Sequence, residues 1–166
     1  MPDFAHQRHK APRDVQRPRE LVVGCVPMRS NVNLSRIVRV AACCGVKQMI
    51  ACGNPKIDPK IARDGLTEVK LTVRRSLAPI LKNYRELGYR IVGLEQTTNS
   101  QNIHDYRFQA RTLLVIGNER LGISDDLLAL LDDVIEIPVY GKPFSYNAAT
   151  ATTMALYEYC RQFPTG

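Results

Sequence analysis

The sequence predicts an α/β fold, a mostly parallel sheet with helices on both faces. Three observations carry this. Short apolar runs alternate with amphipathic stretches along most of the chain, the order expected of a parallel sheet covered on both sides. In the last third, the run ending at Ile116 and the run Ile135 to Ile137 each lead into loops rich in Gly, Asn, Pro and Ser, and a third loop, Gly141 to Asn147, feeds a long Ala-rich stretch. Loops at strand ends are where open α/β sheets bind ligands, so three such loops predict one composite pocket. The chain has 166 residues, 45% hydrophobic and 23% charged, which suffices for the core of one soluble domain.

Residues 1–19 are basic and interrupted by Pro2, Pro12 and Pro18, and they read as a flexible arm; residues 20–166 form the domain. Leu21 to Val26 is a buried strand. In the next segment Leu34, Ile37, Val38 and Ala41 follow the i, i+3, i+4, i+7 spacing of a helix, with Asn33 or Ser35 as its cap and Gly45 as its stop. Gln48 to Cys52 is a second strand and 53–65 a loop. Residues 66–76 mix β-branched and basic side chains and fit either state. Pro79 to Leu87 reads as a helix ended by Gly88. Tyr89 to Leu94 is a strand, Glu95 to Asp105 a polar loop, and Thr112 to Ile116 a strand. Ser124 to Leu131 reads as a helix, Val134 to Ile137 as a strand, and Asn147 to Arg161 as the last helix.

No apolar run reaches the roughly 20 residues that cross a bilayer, and the N-terminus lacks the apolar core of a signal peptide. A cytoplasmic protein is expected. The cysteines Cys25, Cys43, Cys44, Cys52 and Cys160 are odd in number and lack a C-x-x-C pair, so free thiols packed as small core residues are expected. His6, His9 and His104 form no ligand cluster, and no metal is expected. The net charge of +7 is gathered in the arm and between Lys56 and Arg85, which suggests a polyanionic partner.

Several familiar chemistries are missing. There is no G-x-x-x-x-G-K-[ST] phosphate loop, no G-x-G-x-x-G and no G-x-S-x-G. Gly117-Asn118-Glu119 after a strand allows close backbone approach to a ligand. Arg39 sits between Val38 and Val40 at the edge of the buried helix face, as a structural ion pair or as an anion fork, with Glu119 a candidate partner. Ser145-Tyr-Asn147 offers hydroxyl, amide and backbone donors, as a cap formed by Asn147 or Ser145, as a binding loop, or as both.

Three segments in order resemble the SpoU/TrmH family of SPOUT methyltransferases. Asn33-Leu-Ser-Arg-Ile-Val-Arg39 resembles N-x-G-x-x-x-R-T-A. Leu114-Val-Ile-Gly-Asn-Glu-Arg-Leu-Gly-Ile-Ser124 resembles l-V-l-G-N-E-x-x-G-l-s. Ile137-Pro-Val-Tyr-Gly141, with Ser145-Tyr-Asn147 and Leu156-Tyr-Glu158, resembles I-P-M-x-G-x-x-x-S-L-N-V-S and its later l-Y-E. The likeness covers about residues 21–162. Ser35 stands for the usual Gly and Val40 for the usual Thr, while Tyr146, Ala148 and Ala149 replace the common Leu, Val and Ser.

The resemblance implies a SPOUT fold with a deep C-terminal trefoil knot, and a homodimer whose active site draws on both subunits. It implies transfer of a methyl group from S-adenosylmethionine to a ribose 2′-hydroxyl of RNA, tRNA more than rRNA. The cofactor would lie against Leu94, Ile116, Gly117, Asn118, Ile137, Ser145, Tyr146 and Asn147. Asn33, Arg39, Glu119, Ser145 and Asn147 would form the polar floor that receives the ribose. Arg39 would act as a charged fork for phosphate and developing alkoxide, because guanidinium does not give up its proton near neutrality. Glu119 would hold Arg39 or Asn33 in place. The basic arm and middle segment would contact phosphates, making affinity fall with salt. The alternative is a non-catalytic RNA-binding or assembly protein of the same fold.

Overall fold

The computed structural model describes residues 2–166. Seven strands form one fully parallel sheet: β1 (Leu21–Cys25), β2 (Gln48–Cys52), β3 (Lys70–Arg74), β4 (Arg90–Leu94), β5 (Gln101–Asn102), β6 (Thr112–Ile116) and β7 (Asp133–Glu136), in the spatial order β3-β2-β1-β6-β4-β7-β5. The helices are α1 (Asn31–Cys43), α2 (Pro59–Ala62), α3 (Gly65–Glu68), α4 (Ala78–Glu86), α5 (Asp125–Leu128) and α6 (Ala148–Gln162). The two-residue period of the strands divides the core into two layers. Leu21, Val23, Cys25, Leu114 and Ile116 face α1 and α6, while Val22, Leu113 and Val115 face the side covered by α4 and α5. The strands are apolar on both faces, as a doubly covered parallel sheet requires.

The topology positions the site. The chain runs outward from β1 to β3, then crosses to β4, leaving β6 to fill the space between β1 and β4. The C-terminal ends of β1, β6, β4 and β7 therefore lie side by side, and the loops that leave them meet.

Helix α1 begins earlier than its apolar spacing suggests. Its cap is Ser30, whose hydroxyl oxygen accepts from the Asn33 N–H at 3.1 Å, and not Asn33 or Ser35. Both of those side chains are engaged elsewhere: Ser35 Oγ donates to the Asn31 carbonyl at 2.6 Å and accepts from the Asp58 N–H at 2.8 Å. The expected loop 53–65 contains α2, started by Pro59 in the first turn and capped by Asp58. The ambiguous stretch resolves into α3 and β3, and the polar loop after β4 contains the two-residue β5. Of the two candidate caps of the last helix, Asn147 serves and Ser145 does not, with Asn147 Oδ1 accepting from Ala149 and Thr150.

Residues 2–20 hold no helix or strand, but the end of the expected free arm is tied down. The Gln16 N–H donates to the Thr165 carbonyl at 2.9 Å, Arg17 Nε to the Gly166 carbonyl at 3.0 Å, and the Arg19 guanidinium to the Phe163 carbonyl while lying 5.9 Å from the centre of the Tyr159 ring. All five cysteines are free thiols; Cys25, Cys44 and Cys52 are buried, Cys160 is half-buried and Cys43 is exposed. Burial pushes the Cys25 thiol up to about 12, so it stays protonated near neutrality. Among the described residues, no helix is long and apolar enough to cross a membrane, and no group of three metal-ligating side chains could hold an ion.

Candidate active site

The loops from β4, β6 and β7 and the start of α6 enclose a cavity of about 220 Å³. Leu94, Ile116, Gly117, Asn118, Ile137, Ser145 and Tyr146 line it, which brings together seven of the eight residues expected around a cofactor. Asn147, the eighth, is the cap of α6 and turns its amide toward Asn33.

One wall is built from backbone. Among the described residues, no backbone N–H from Val139 to Tyr146 donates a hydrogen bond within the chain. The one carbonyl engaged there is that of Phe144, which accepts from Gln96 Nε2 at 3.3 Å. Of this segment, Val139, Ser145 and Tyr146 line the cavity and leave their peptide groups open to a polar ligand, while Tyr140 to Phe144 are exposed to solvent beyond it. The opposite wall is the tight loop Gly117–Gly122. Asn118 and Gly122 exchange two backbone hydrogen bonds, of 3.0 and 2.9 Å. Asn118 Nδ2 ties that loop to the Pro27 carbonyl at 2.8 Å. A Cβ on Gly117 would sit 2.7 Å from the Gly122 carbonyl carbon and 2.9 Å from the Ile123 nitrogen, both backbone atoms. Gly117→Ala is expected to destabilise the fold by about 1–3 kcal/mol. Its thermal midpoint should fall measurably; an unchanged midpoint would mean the loop yields freely.

Beside the cavity lies a hydrogen-bonded chain of three side chains. Glu119 Oε1 accepts from the Ser30 N–H at 2.9 Å and from Asn33 Nδ2 at 3.2 Å, and Oε2 accepts from the Arg29 N–H at 2.8 Å. Asn147 Nδ2 donates to Asn33 Oδ1 at 3.2 Å. Glu119 thus bolts the β6 loop to the start of α1, and Asn33 passes the link on to α6. Partial burial pushes the Glu119 carboxyl up, but the donors from Arg29, its own backbone, Ser30 and Asn33 outweigh this and hold it below the usual carboxylate range. It is an ionised acceptor with its lone pairs engaged, a positioning residue.

Arg39 does not join this group, contrary to the expected polar floor, and Glu119 holds Asn33 but not Arg39. Six residues of helix turn a side chain by about 240° net, so Asn33 and Arg39 leave α1 on different faces. Arg39 is exposed and lines a separate open hollow with Arg36, Lys60, Thr150 and Thr153. Among the described residues its guanidinium makes no hydrogen bond or ion pair, so it is not the structural ion pair considered from sequence. Ser145 lines the cavity but has no hydrogen bond to Asn33, Glu119 or Asn147.

Several residues of the site were missed, among them Gln96, Arg120 and Glu136 of the cavity wall and two that hold its loops, Glu95 and Ser30. Glu95 Oε2 accepts from the Ile123 N–H at 3.1 Å and fills the space beside Gly122, whose φ of +65° sets the loop. Its sequence signal was a carboxylate directly after a strand. Ser30 caps α1 and donates to Glu119; its signal was a serine ahead of Asn31-Val-Asn33.

The comparisons with known proteins agree with this architecture. A family model described as the SpoU rRNA Methylase family matches residues 20–157. A tRNA (guanosine(18)-2′-O)-methyltransferase of Aquifex aeolicus is 29% identical over 152 residues, covering 89% of this chain and 72% of its own length. A 23S rRNA (uridine(2479)-2′-O)-methyltransferase of Streptomyces viridochromogenes is 32% identical over 139 residues, covering 78% of this chain and 48% of its own. A mouse protein named tRNA (guanosine(18)-2′-O)-methyltransferase TARBP1 is 39% identical over 82 residues; the match covers 49% of this chain and 5% of that one. The chain thus spans less than two thirds of several of the relatives it matches. Among solved structures, the A. aeolicus TrmH/SpoU tRNA modifying enzyme superposes with a TM-score of 0.83 at 28% identity, covering 89% of this chain and 77% of that one. The S. viridochromogenes SpoU methyltransferase AviRb in complex with the cofactor AdoMet superposes with a TM-score of 0.75 at 29% identity, covering 92% and 64%. With the motifs, the parallel sheet and the cavity at its C-terminal edge all in place, the chain belongs to the SpoU rRNA methylase family.

Proposed function

We propose that this protein is an S-adenosylmethionine-dependent methyltransferase that modifies a ribose 2′-hydroxyl of RNA, tRNA in preference to rRNA. The observation that carries the reading is the cavity between the loops that leave β4, β6 and β7, beside the Asn33–Glu119–Asn147 chain. The donor set fits the cofactor. Glu95, Glu119 and Glu136 line the cavity against the single cation Arg120, which suits a ligand bearing ammonium and sulfonium charge and disfavours a polyphosphate. Ala148 and Ala151 keep the floor small, and the backbone of Val139, Ser145 and Tyr146 offers donors and acceptors that do not depend on side-chain identity. When bound, S-adenosylmethionine supplies an electrophilic methyl group. The residues of the chain fix the loops around it and exclude water, with Asn33 and Asn147 held in register by Glu119.

The position of Arg39 supports a homodimer in which each site is completed by the other subunit. It lines a separate hollow and not the cavity of its own chain, it is uncommitted, and Met154 and Tyr157 of α6 are exposed near in sequence to the Thr150–Thr153 wall of that hollow. Family membership supports a threaded C-terminus, and in this chain the 106–110 segment is clasped on α6: Tyr159 Oη donates to the Ala110 carbonyl at 2.7 Å, Gln162 Nε2 to the Tyr106 carbonyl at 2.8 Å, and the Phe108 N–H to Gln162 Oε1 at 2.9 Å.

Calorimetric titration tests the assignment. S-adenosylmethionine is expected to bind one site per chain, and ATP and NAD to give no heat. Absence of cofactor heat alongside RNA binding would leave a non-catalytic RNA-binding protein.

A further inference from the structure

The loop that closes the cavity carries side chains that the cofactor reading does not use. Tyr140 is 86% exposed and Phe144 75% exposed. Six other aromatic rings pack together, Tyr84 on Tyr89, Tyr106 on Phe108, Phe108 on Tyr159, and Tyr159 on Phe163, with centroids 4.7–5.6 Å apart. Phe4 and Tyr157 are exposed outside these pairs and do not line the cavity, and Tyr146 is exposed in its lining. Tyr140 and Phe144 join none of these pairs and add nothing to the core. Phe144 lines a second open hollow that shares Gln96, Glu136, Ile137 and Val139 with the cavity, so the two are separated by one loop wall. That wall is pinned by the Gln96 side chain to the Phe144 carbonyl. Lys142 Nζ stands 5.8 Å from the centre of the Phe144 ring, and Arg120 is exposed on the cavity lining.

Exposed rings interleaved with cations, beside a site that must receive one nucleotide, match the chemistry of unpaired nucleic acid. Every base has a face that stacks, and every linkage a phosphate that attracts a cation. A continuous duplex keeps its bases stacked on one another and offers such rings no face. We propose that Tyr140 and Phe144 are specificity-determining residues that stack an unpaired base of the RNA next to the nucleotide being modified, with Lys142 on the adjoining phosphate. This rests on the RNA methyltransferase reading above. It adds that the substrate must present single-stranded nucleotides at the rim of the cavity.

The test compares a labelled, unstructured RNA oligonucleotide with an RNA duplex of equal length, at one salt concentration. Wild type, Tyr140→Ala/Phe144→Ala and Tyr140→Phe/Phe144→Tyr are measured alongside. The alanine variant should bind the single strand roughly ten- to a hundredfold more weakly, the range expected for lost stacking. Its duplex binding and S-adenosylmethionine affinity should be unchanged, and the aromatic-swapped variant should match wild type. Equal loss on both RNAs, no loss on either, or wild-type protein that binds no single strand would overturn the proposal. So would loss of cofactor affinity, which would place the rings in the cofactor site, or a change of oligomeric state, which would place them at a subunit contact. Wild-type protein that fails to bind S-adenosylmethionine at all would instead overturn the underlying reading.

Discussion

Replacing Glu119 by alanine is expected to lower stability by about 2–3 kcal/mol and the thermal midpoint by about 5–10 °C. The carboxylate accepts from two backbone N–H groups and one amide, and alanine leaves all three donors without a partner. The site is only half-buried, so water recovers part of the loss, which keeps the estimate below the sum of three charge-assisted bonds. Glu119→Gln is expected to fare little better. An amide must turn its NH2 either on the Arg29 N–H or on the Ser30 and Asn33 donors, setting donor against donor. The sign of the pH dependence follows from the lowered pKa. The contribution of Glu119 is fully present above its unfolded value of about 4.5 and is lost as pH falls through the lower folded value. Thermal melts of wild type and Glu119→Ala should therefore differ by a constant amount at neutral pH and converge in acid. A gap that persists at low pH would mean that packing, not the ionised acceptor, is what Glu119 supplies.

Substituting Arg39 by alanine is expected to lower turnover about 100- to 1000-fold, the loss typical when one donor to developing charge is removed. S-adenosylmethionine affinity should be unchanged, because Arg39 is outside the cavity wall. Stability should change by less than about 0.5 kcal/mol, because the side chain is exposed and has no partner within the described chain. Those two controls separate a role in the reaction from a role in the fold. Arg39→Lys keeps the charge but loses the planar fork, and intermediate turnover is expected. Near wild-type methylation of RNA by Arg39→Ala would remove the residue from the mechanism.

Much of the fold was legible because parallel strands buried on both faces must be apolar throughout. Leu21–Cys25, Thr112–Ile116 and the segments near them stand out for that reason. The Asn147 cap and the stops at Gly45 and Gly88, with φ of +71° and +83°, were legible because local geometry demands those residue types. What escaped was set by partners distant in sequence. The two residues of β5 show no periodicity and become a strand only by pairing with β7. The start of α1 was misplaced because Asn33 and Ser35 look like caps until their bonds to Glu119, Asn147 and Asp58 are known.

The sequence by itself determined the parallel α/β layering, the three loops that wall the cavity and the family, since burial patterns and motif spacing are local properties of the chain. Only the tertiary structure decided which functional side chains meet. Asn33, Glu119 and Asn147 are brought within hydrogen-bond reach because β6 lies next to β1 and α6 packs on α1. Arg39, a few residues along the same helix, is carried to another face by the helical turn, a separation that motif spacing does not reveal without the neighbours packed around it.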